Sequence, residues 1–142
     1  GRSWLPLLNK KETSGWNQIG ASHTFHEIQM YYPMRVVRDR DYKLIWNIAY
    51  PLPFPFASDL WAAPTWQAQF KQGPTTKYGE RTVQEYIQRP EFELFDMRKD
   101  PNETKNLAAE AKHYELLQAY KEKLKEKQKQ TNDPWIIKWK YE

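Results

Sequence analysis

The 142-residue chain contains no cysteine, which excludes a disulfide framework, a zinc-thiolate site and a cysteine nucleophile. No apolar run approaches the roughly 18 residues of a membrane span, and we expect no membrane partner. The opening residues, Gly1 to Pro6, lack the apolar stretch of a secretory signal. An initiating methionine is also absent, and we expect the chain to be a piece of a longer protein.

A concentration of charge of one sign is missing as well. The chain has 22 basic and 18 acidic residues, for a formal net charge of +4. Lysine and glutamate alternate between Lys121 and Lys127, which is typical of the solvated face of a helix. A nucleic-acid-binding domain more often concentrates its basic residues in one patch. We therefore expect no nucleic-acid partner.

Aromatic residues are abundant, with 7 tryptophans and 9 tyrosines. Together with the 39% hydrophobic content, they are sufficient for one modest core. Exposed rings could instead form a platform for the C–H faces of a sugar. For Trp46, Trp66 and Trp135 we favour packing in the core or between domains.

Alternation of apolar and polar residues predicts several strands. Residues 28–32 form a short extended segment that we expect Pro33 to end, because proline cannot donate to a strand ladder. Residues 36–49 predict a hairpin with one apolar face, and residues 92–97 predict a further strand. Residues 1–25 show neither the helical nor the strand period of apolar residues, and we interpret them as an irregular lead-in from a preceding domain.

Helices are predicted in three places. A proline at the start and a glycine past the end favour a helix from Pro64 towards Gly73. The capping-box pattern of residues 82–85 predicts a short helix from Val83 to about Gln88. Helical spacing of apolar residues predicts a long helix over residues 109–130.

This order of elements predicts an α+β fold. We expect a small antiparallel sheet of about four strands with the long C-terminal helix packed on one face, because the connections are too short for parallel crossovers. Residues 26–142 would form this domain. The proline-rich residues 51–56 favour extended backbone without a regular element.

One cluster of histidines and an acid could carry chemistry. His23, His26 and Glu27 follow one another closely, but nothing nearby completes the about four donors of a zinc site. The cluster could also be structural, with a histidine capping a turn. A third alternative is a binding role, since a histidine beside a glutamate can contact hydroxyl, amine or sulfate groups.

Arginines offer a second possibility. Arg35, Arg38 and Arg40 could hold a sulfate or phosphate group, because a planar guanidinium fits tetrahedral oxyanions. On a hairpin, however, Arg38 and Arg40 most simply pair with Asp39, Asp41 or solvent. No phosphate-binding glycine loop, nucleophile elbow or glycosidase-like pair of acids is present.

Two passages resemble the sulfatase family. Residues 23–35, HTFHEIQMYYPMR, are similar to the segment with which N-sulfoglucosamine sulfohydrolases, the heparan N-sulfatases, enter their C-terminal region. Residues 93–108 contain ELFD followed by DPNETKNLA, which resembles a signature near the end of many sulfatases. Weaker likenesses, at residues 1–8 and 133–135, extend the resemblance in order along nearly the whole chain.

The resemblance implies a two-part enzyme that hydrolyses sulfate esters or sulfamates of sugars. Its large N-terminal domain would carry a formylglycine nucleophile, made from cysteine or serine in a C/S-x-P-x-R motif, and a calcium ion. This chain has no such motif, so we expect it to be inactive alone, with no cofactor of its own. Its expected partners are that N-terminal domain and a sulfated saccharide, in an extracytoplasmic compartment.

The resemblance also implies that the C-terminal domain lends loop residues to the substrate pocket. We place that contribution at His26 and Glu27, with His23 and Arg35 as further candidates for substrate binding. No catalytic residue or metal ligand is assigned to this chain. The alternative function is a non-catalytic carbohydrate-binding or interaction module.

Overall fold

The computed structural model describes residues 3–27 and 30–141. Its main feature is a four-stranded antiparallel sheet in the order β1-β2-β3-β6, which confirms the α+β prediction. No helix in the described ranges is both long and apolar enough to cross a bilayer. The strands of the sheet are β1 (Ile19–His26), β2 (Met30–Arg38), β3 (Tyr42–Asn47) and β6 (Phe92–Asp96), and a separate two-stranded ribbon is formed by β4 (Lys77–Tyr78) and β5 (Arg81–Thr82).

Within the described residues, four α-helices and three 3₁₀ helices complete the fold. The 17-residue helix α4 is the longest, and it lies on the face of the sheet that carries the apolar residues of β3. The α-helices are α1 (Ser58–Ala62), α2 (Pro64–Phe70), α3 (Val83–Ile87) and α4 (Tyr114–Gln130); the 3₁₀ helices span Leu5–Leu7, Ala111–His113 and Pro134–Lys140.

The core lies between α4 and the sheet. Leu44 and Trp46 of β3 are fully buried there, as their alternation with polar neighbours predicts. They pack against Leu117 and Leu124, which lie seven residues apart on α4 and therefore share one face. The 3₁₀ helix that follows α4 closes the core, since Trp139 stacks on Trp46 with ring centroids 4.0 Å apart.

The opposite face of the sheet is covered by the segment between β3 and β6. Phe54 packs edge-on against Tyr32 of β2 at 5.1 Å, and the guanidinium of Arg81 lies 5.7 Å from the ring of Phe95. Behind these contacts is a second aromatic cluster that holds α1, α2 and α3 together. Its members are Phe56, Trp61, Trp66, Phe70, Tyr78 and Tyr86.

Most predicted elements are confirmed, including the β2–β3 hairpin, α2, β6 and α4. The Thr82 capping box is also present, with the Glu85 carboxylate accepting from the Thr82 backbone at 2.6 Å. Residues 51–56 contain no helix or strand, as predicted. Helix α1 was not predicted, because a helix of five residues is too short to show a helical spacing of apolar side chains.

Two predictions about the first strands are wrong. Strand β1 occupies Ile19–His26, and all but its last residue lie in residues 1–25, where no regular element was predicted. Its residues are mostly exposed, because β1 is an edge strand and so carries no apolar alternation. Pro33 does not end β2. It lies in a bulge of β2, where three positions along β2 correspond to two positions along β1. Such a bulge tolerates a residue without a backbone N–H. Residues 28 and 29 of the predicted strand lie outside the described residues.

The β2–β3 turn is tied to α4 through one carboxylate. Asp39 accepts hydrogen bonds from the backbone N–H groups of Asp41 and Tyr42, each at 3.0 Å. It also accepts from the Tyr120 hydroxyl and from the Lys123 ammonium, the latter at 2.9 Å. Burial alone would raise the pKa of Asp39, but these donors outweigh it and hold that pKa well below its usual value of 3.8.

We predict that Asp39→Asn lowers the free energy of unfolding at pH 7 by about 2 kcal/mol, the contribution of a charged hydrogen-bond acceptor that is partly exposed. The pKa of Asp39 is lower in the folded chain than in the unfolded chain. The stability that the Asp39 carboxylate contributes is therefore fully present above the unfolded pKa and is lost as the pH falls from there through the folded pKa. Urea unfolding between pH 7 and 2 should therefore show a smaller acid loss for Asp39→Asn than for the native chain. Parallel pH profiles for the two proteins would contradict the assignment.

Candidate functional site

The β1–β2 hairpin presents two of the predicted substrate-binding residues at its end. His26 is the last residue of β1 and pairs with Met30, and Glu27 begins the turn. Both side chains are exposed. Neither forms a hydrogen bond or ion pair with another described residue, so both remain available to a ligand.

Glu27 has a left-handed backbone conformation, with φ of 55°. Residues other than Gly, Asn and Asp rarely adopt this region. A glutamate in this conformation therefore costs more conformational free energy than one of those three residues would. This observation favours a role for the Glu27 carboxylate beyond closing the turn.

His23 lies farther back on β1 and is half-buried. Its Nδ1 is 3.1 Å from the backbone carbonyl of Tyr32, and since a carbonyl only accepts, Nδ1 is the donor. In the neutral ring Nε2 is then the acceptor. His23 therefore contributes to the pairing of β1 with β2, and only its Nε2 is available to a ligand.

The structure does not bring the histidines and Glu27 together as a metal site. His23 and His26 are three positions apart on β1, about 10 Å of backbone. Among the described residues, no group of three or more histidine, aspartate or glutamate side chains is arranged to hold a metal ion. Of the three alternatives for this cluster, the geometry favours a structural His23 and a ligand-facing pair of His26 and Glu27.

Arg35, the fourth candidate, is buried and fully engaged by the protein. Its Nε and one terminal nitrogen donate to the two carboxylate oxygens of Asp133, at 2.5 and 2.9 Å. Its other terminal nitrogen donates to the backbone carbonyls of His23 and Met34, at 3.0 and 2.9 Å. Arg35 therefore positions β1 relative to the end of the chain, and its direct contact with a substrate stays a prediction.

Asp133 completes this arrangement from the other side. Besides Arg35, it accepts from the side chain of Gln128 at 3.0 Å and from the backbone of Trp135 at 3.1 Å. Burial would raise the pKa of Asp133, but the hydrogen bond from Arg35 and these further donors hold it below its usual range. Sequence reasoning missed this role, although an aspartate directly before Pro134 is a typical helix N-cap.

A second buried polar group lies on the opposite face of the sheet. Asn47, fully buried at the end of β3, donates to Glu93 of β6 at 2.7 Å and to the Pro90 carbonyl at 2.8 Å. Arg89 lies beside it, with its guanidinium 3.7 Å from the centre of the Phe54 ring. Burial raises the pKa of nearby Tyr32 to about 12, so its hydroxyl stays protonated.

The β1–β2 hairpin contacts this side of the sheet through an aromatic ring. Tyr32 of β2 packs on Phe54, and Phe54 in turn contacts the Arg89 guanidinium. One signal for the buried polar group was present in the sequence, since Asn47 and Glu93 are polar residues beside the apolar positions of β3 and β6. A buried polar residue in such a position is normally hydrogen-bonded to another.

The three tryptophans assigned to packing lie as predicted. Trp46 and Trp66 are buried, and Trp135 is half-buried beside Tyr31, with ring centroids 6.1 Å apart. The exposed rings nearest to the hairpin end are instead Phe25, which is 64% exposed, and Tyr31, which is 47% exposed. Because these two residues pair across β1 and β2, they form an apolar border next to His26.

Comparison with known proteins gives a consistent result. No protein-family model matches the chain. The chain is similar to N-sulphoglucosamine sulphohydrolase of Homo sapiens, with 35% identity over 140 residues that cover 96% of this chain and 27% of the human protein. It thus spans about a quarter of the curated relative that it matches.

Solved structures show the same fold. A proposed sulfatase from Bacteroides thetaiotaomicron superposes with a TM-score of 0.58 and 20% identity, over 95% of this chain and 21% of that protein. BT4656, solved with its substrate D-glucosamine-2-N,6-O-disulfate, gives a TM-score of 0.55 and 20% identity, over 94% and 20%. The human relative confirms the resemblance to N-sulfoglucosamine sulfohydrolases, and the two solved structures show the fold that the resemblance implies.

We predict that Asp133→Asn lowers the free energy of unfolding by about 3 kcal/mol, because it leaves the buried Arg35 guanidinium without its counter-charge. The matched control is Glu103→Gln, which breaks the more exposed pair with Lys43, 2.6 Å long. This control should cost about 1 kcal/mol or less. Denaturant unfolding of the three proteins measures the difference, and equal losses in the two variants would contradict the role given to Arg35.

Proposed function

We propose that this chain is the C-terminal part of a sulfatase that hydrolyses sulfate esters or sulfamates of amino sugars. One observation carries the proposal: the similarity to human N-sulphoglucosamine sulphohydrolase covers nearly all of this chain but only 27% of that relative. The chain is then one domain of a larger enzyme. In that enzyme it borders the substrate pocket and supplies neither the nucleophile nor the metal ligands.

The sequence supports this division of labour. Without a cysteine or a Ser-x-Pro-x-Arg motif, the chain has no residue from which the family's formylglycine is made. The N-terminal domain would hold the formylglycine and the calcium ion, which together supply the attack on sulfur and stabilise the developing negative charge. The part left to this chain is recognition of the sugar.

His26 and Glu27 are suited to that recognition. They lie at the end of a hairpin that is held by Arg35, which donates to the His23 carbonyl, and by the packing of Tyr32 on Phe54. A carboxylate accepts hydrogen bonds from sugar hydroxyl or amine groups, while a histidine donates or accepts according to its protonation. The neighbouring Phe25 ring, largely exposed, could contact the apolar face of a sugar.

The relatives support an amino sugar as the substrate. The human relative is named for N-sulphoglucosamine, and BT4656 was solved with a glucosamine that carries N- and O-sulfate groups. We therefore propose glucosamine with a sulfamate or a sulfate ester as the substrate class. The choice between the two bonds depends on the N-terminal domain.

We predict that Glu27→Gln in the longer protein lowers kcat/KM for N-sulfoglucosamine by about 10- to 100-fold, because one charged hydrogen bond to the sugar is lost. The thermal unfolding midpoint should stay unchanged, since Glu27 has no described partner in the fold. Glu80→Gln is the matched control, because Glu80 is exposed in the turn between β4 and β5. Loss of stability in proportion to activity would show that Glu27 is only structural.

The isolated 142-residue chain gives a second test. We predict that it releases no sulfate from N-sulfoglucosamine, because no group in it can attack sulfur. Ion chromatography of the reaction mixture measures this, with the longer protein as the positive control. Sulfate release by the isolated chain would contradict the proposal.

The alternative of a carbohydrate-binding module is favoured by the exposed rings of Phe25 and Tyr31. Such a module would bind a monosaccharide without the remainder of the protein. In the sulfatase proposal the hairpin forms only one side of the pocket, so the isolated chain should bind a monosaccharide weakly. Calorimetric titration with N-sulfoglucosamine distinguishes the two functions.

A further inference from the structure

Arg38 and Arg40 lie at the β2–β3 turn, and their guanidinium groups have no acidic partner among the described residues. The sequence left two alternatives for them, pairing with Asp39 or Asp41 and exposure to solvent, and the structure shows the second. The Asp39 carboxylate is directed to α4 and to its own turn, and Asp41 pairs with Arg98 at 2.5 Å. Both arginines are exposed, so two fixed positive charges face solvent next to each other.

A groove of about 240 Å³ lies beside these arginines. The half-buried ring of Trp16 and the apolar side chain of Ile19 contribute to its walls, and its only acid, Asp39, is already neutralised by Lys123. The groove therefore combines positive charge with apolar surface. Its lining residues are Trp16, Asn17, Ile19, Arg38, Asp39 and Arg40.

A second concave surface lies along α4. It has a volume of about 310 Å³, and its lining includes Gln18, the sequence neighbour of Asn17 and Ile19 in the first groove. Lys127 lines this surface, and so does Lys123, whose charge is matched by Asp39. The two acids that line it, Glu122 and Glu126, form ion pairs with Lys125 and Lys129. Among the described residues that line the two surfaces, the unmatched positive charges are therefore those of Arg38, Arg40 and Lys127.

This surface is far from the hairpin end that carries His26. Arg38 pairs with Ile19 at the start of β1, whereas His26 is the last residue of that strand. Ile19 and His26 are seven positions apart on β1, which corresponds to about 23 Å along the strand. A monosaccharide in the pocket cannot reach the arginines, but an extended oligosaccharide can.

We propose that the groove at Arg38 and Arg40 is a second binding site, specific for the sulfate groups of a longer sulfated oligosaccharide. A guanidinium binds a tetrahedral oxyanion through two parallel N–H donors, and the Trp16 wall offers an apolar surface to the sugar rings. The inference rests on the proposed function, because that function makes a sulfated glycan the expected polyanion. The site would hold the polymer while its end occupies the pocket.

The test is calorimetric titration of the 142-residue chain with a sulfated glucosamine-containing oligosaccharide at about 0.15 M salt, where exposed charges are partly screened. We predict that Arg38→Gln combined with Arg40→Gln raises Kd about three- to ten-fold, since two exposed charged contacts are lost. Replacing both arginines with lysine should give a smaller increase, because charge remains without the bidentate geometry. Circular dichroism checks that each variant is folded.

The matched control removes the same charge elsewhere. Lys71→Gln combined with Lys77→Gln affects two exposed lysines on the segment that covers the opposite side of the sheet, and should leave Kd unchanged. An equal rise in Kd in this control would show a net-charge effect and overturn the proposal. Unchanged binding by the arginine variant would overturn it as well, as would equal affinity for the desulfated oligosaccharide.

The titration tests the second binding site separately from the proposed function. If the arginine variant binds as the native chain does, the second site is rejected, but release of sulfate from a monosaccharide by the longer protein would still support the sulfatase function. If instead the longer protein binds the sulfated oligosaccharide tightly but hydrolyses no sulfate, the second site is kept and the sulfatase function is rejected.

Discussion

The buried pair of Arg35 and Asp133 is the contact on which the arrangement of this domain depends. The Arg35 guanidinium, from β2, donates to the His23 carbonyl of β1. It also donates to the Asp133 carboxylate, which caps the last 3₁₀ helix by accepting from the Trp135 backbone. Buried ion pairs add little net stability compared with apolar replacements, but they specify geometry because a mispaired charge is costly. Here the geometry specified is that of an edge strand, which has few buried apolar contacts of its own.

This constraint explains how an exposed hairpin can serve as a binding element. Strand β1 is mostly exposed, so hydrophobic burial restrains it less than β2, where Met30 and Tyr32 are buried. The hydrogen bond from Arg35 to the His23 carbonyl adds a restraint on β1. A side chain that contacts substrate needs such support, since small displacements of a binding group reduce its contribution strongly.

The central elements could be predicted from the sequence because their signals are local. The alternation that ends in Trp46, the capping box at Thr82 and the helical spacing of Leu117 and Leu124 each follow from neighbouring residues. Strand β1 was missed because an edge strand with small and polar residues has no period to detect. The resemblance to sulfatases, which depends on residues 23–35 and 93–108, supplied the function that these patterns do not contain.

The candidate site was predictable only in part. His26 and Glu27 lie at an exposed hairpin end, as a binding role requires, whereas the buried Arg35 contacts Asp133, 98 residues away in the chain. No local pattern indicates which of several arginines will find a partner so distant. The same limit applies to Arg38 and Arg40, because the sequence left open whether they pair with Asp39 or Asp41 or face solvent, as they do in the structure.

The most direct test of this account is a crystal structure of the longer protein with N-sulfoglucosamine bound. The account predicts that the hairpin end borders the sugar, with a Glu27 carboxylate oxygen about 3 Å from a hydroxyl or amine of the ligand. A ligand held without contact to any residue of the hairpin, with His26 and Glu27 in open solvent, would contradict it.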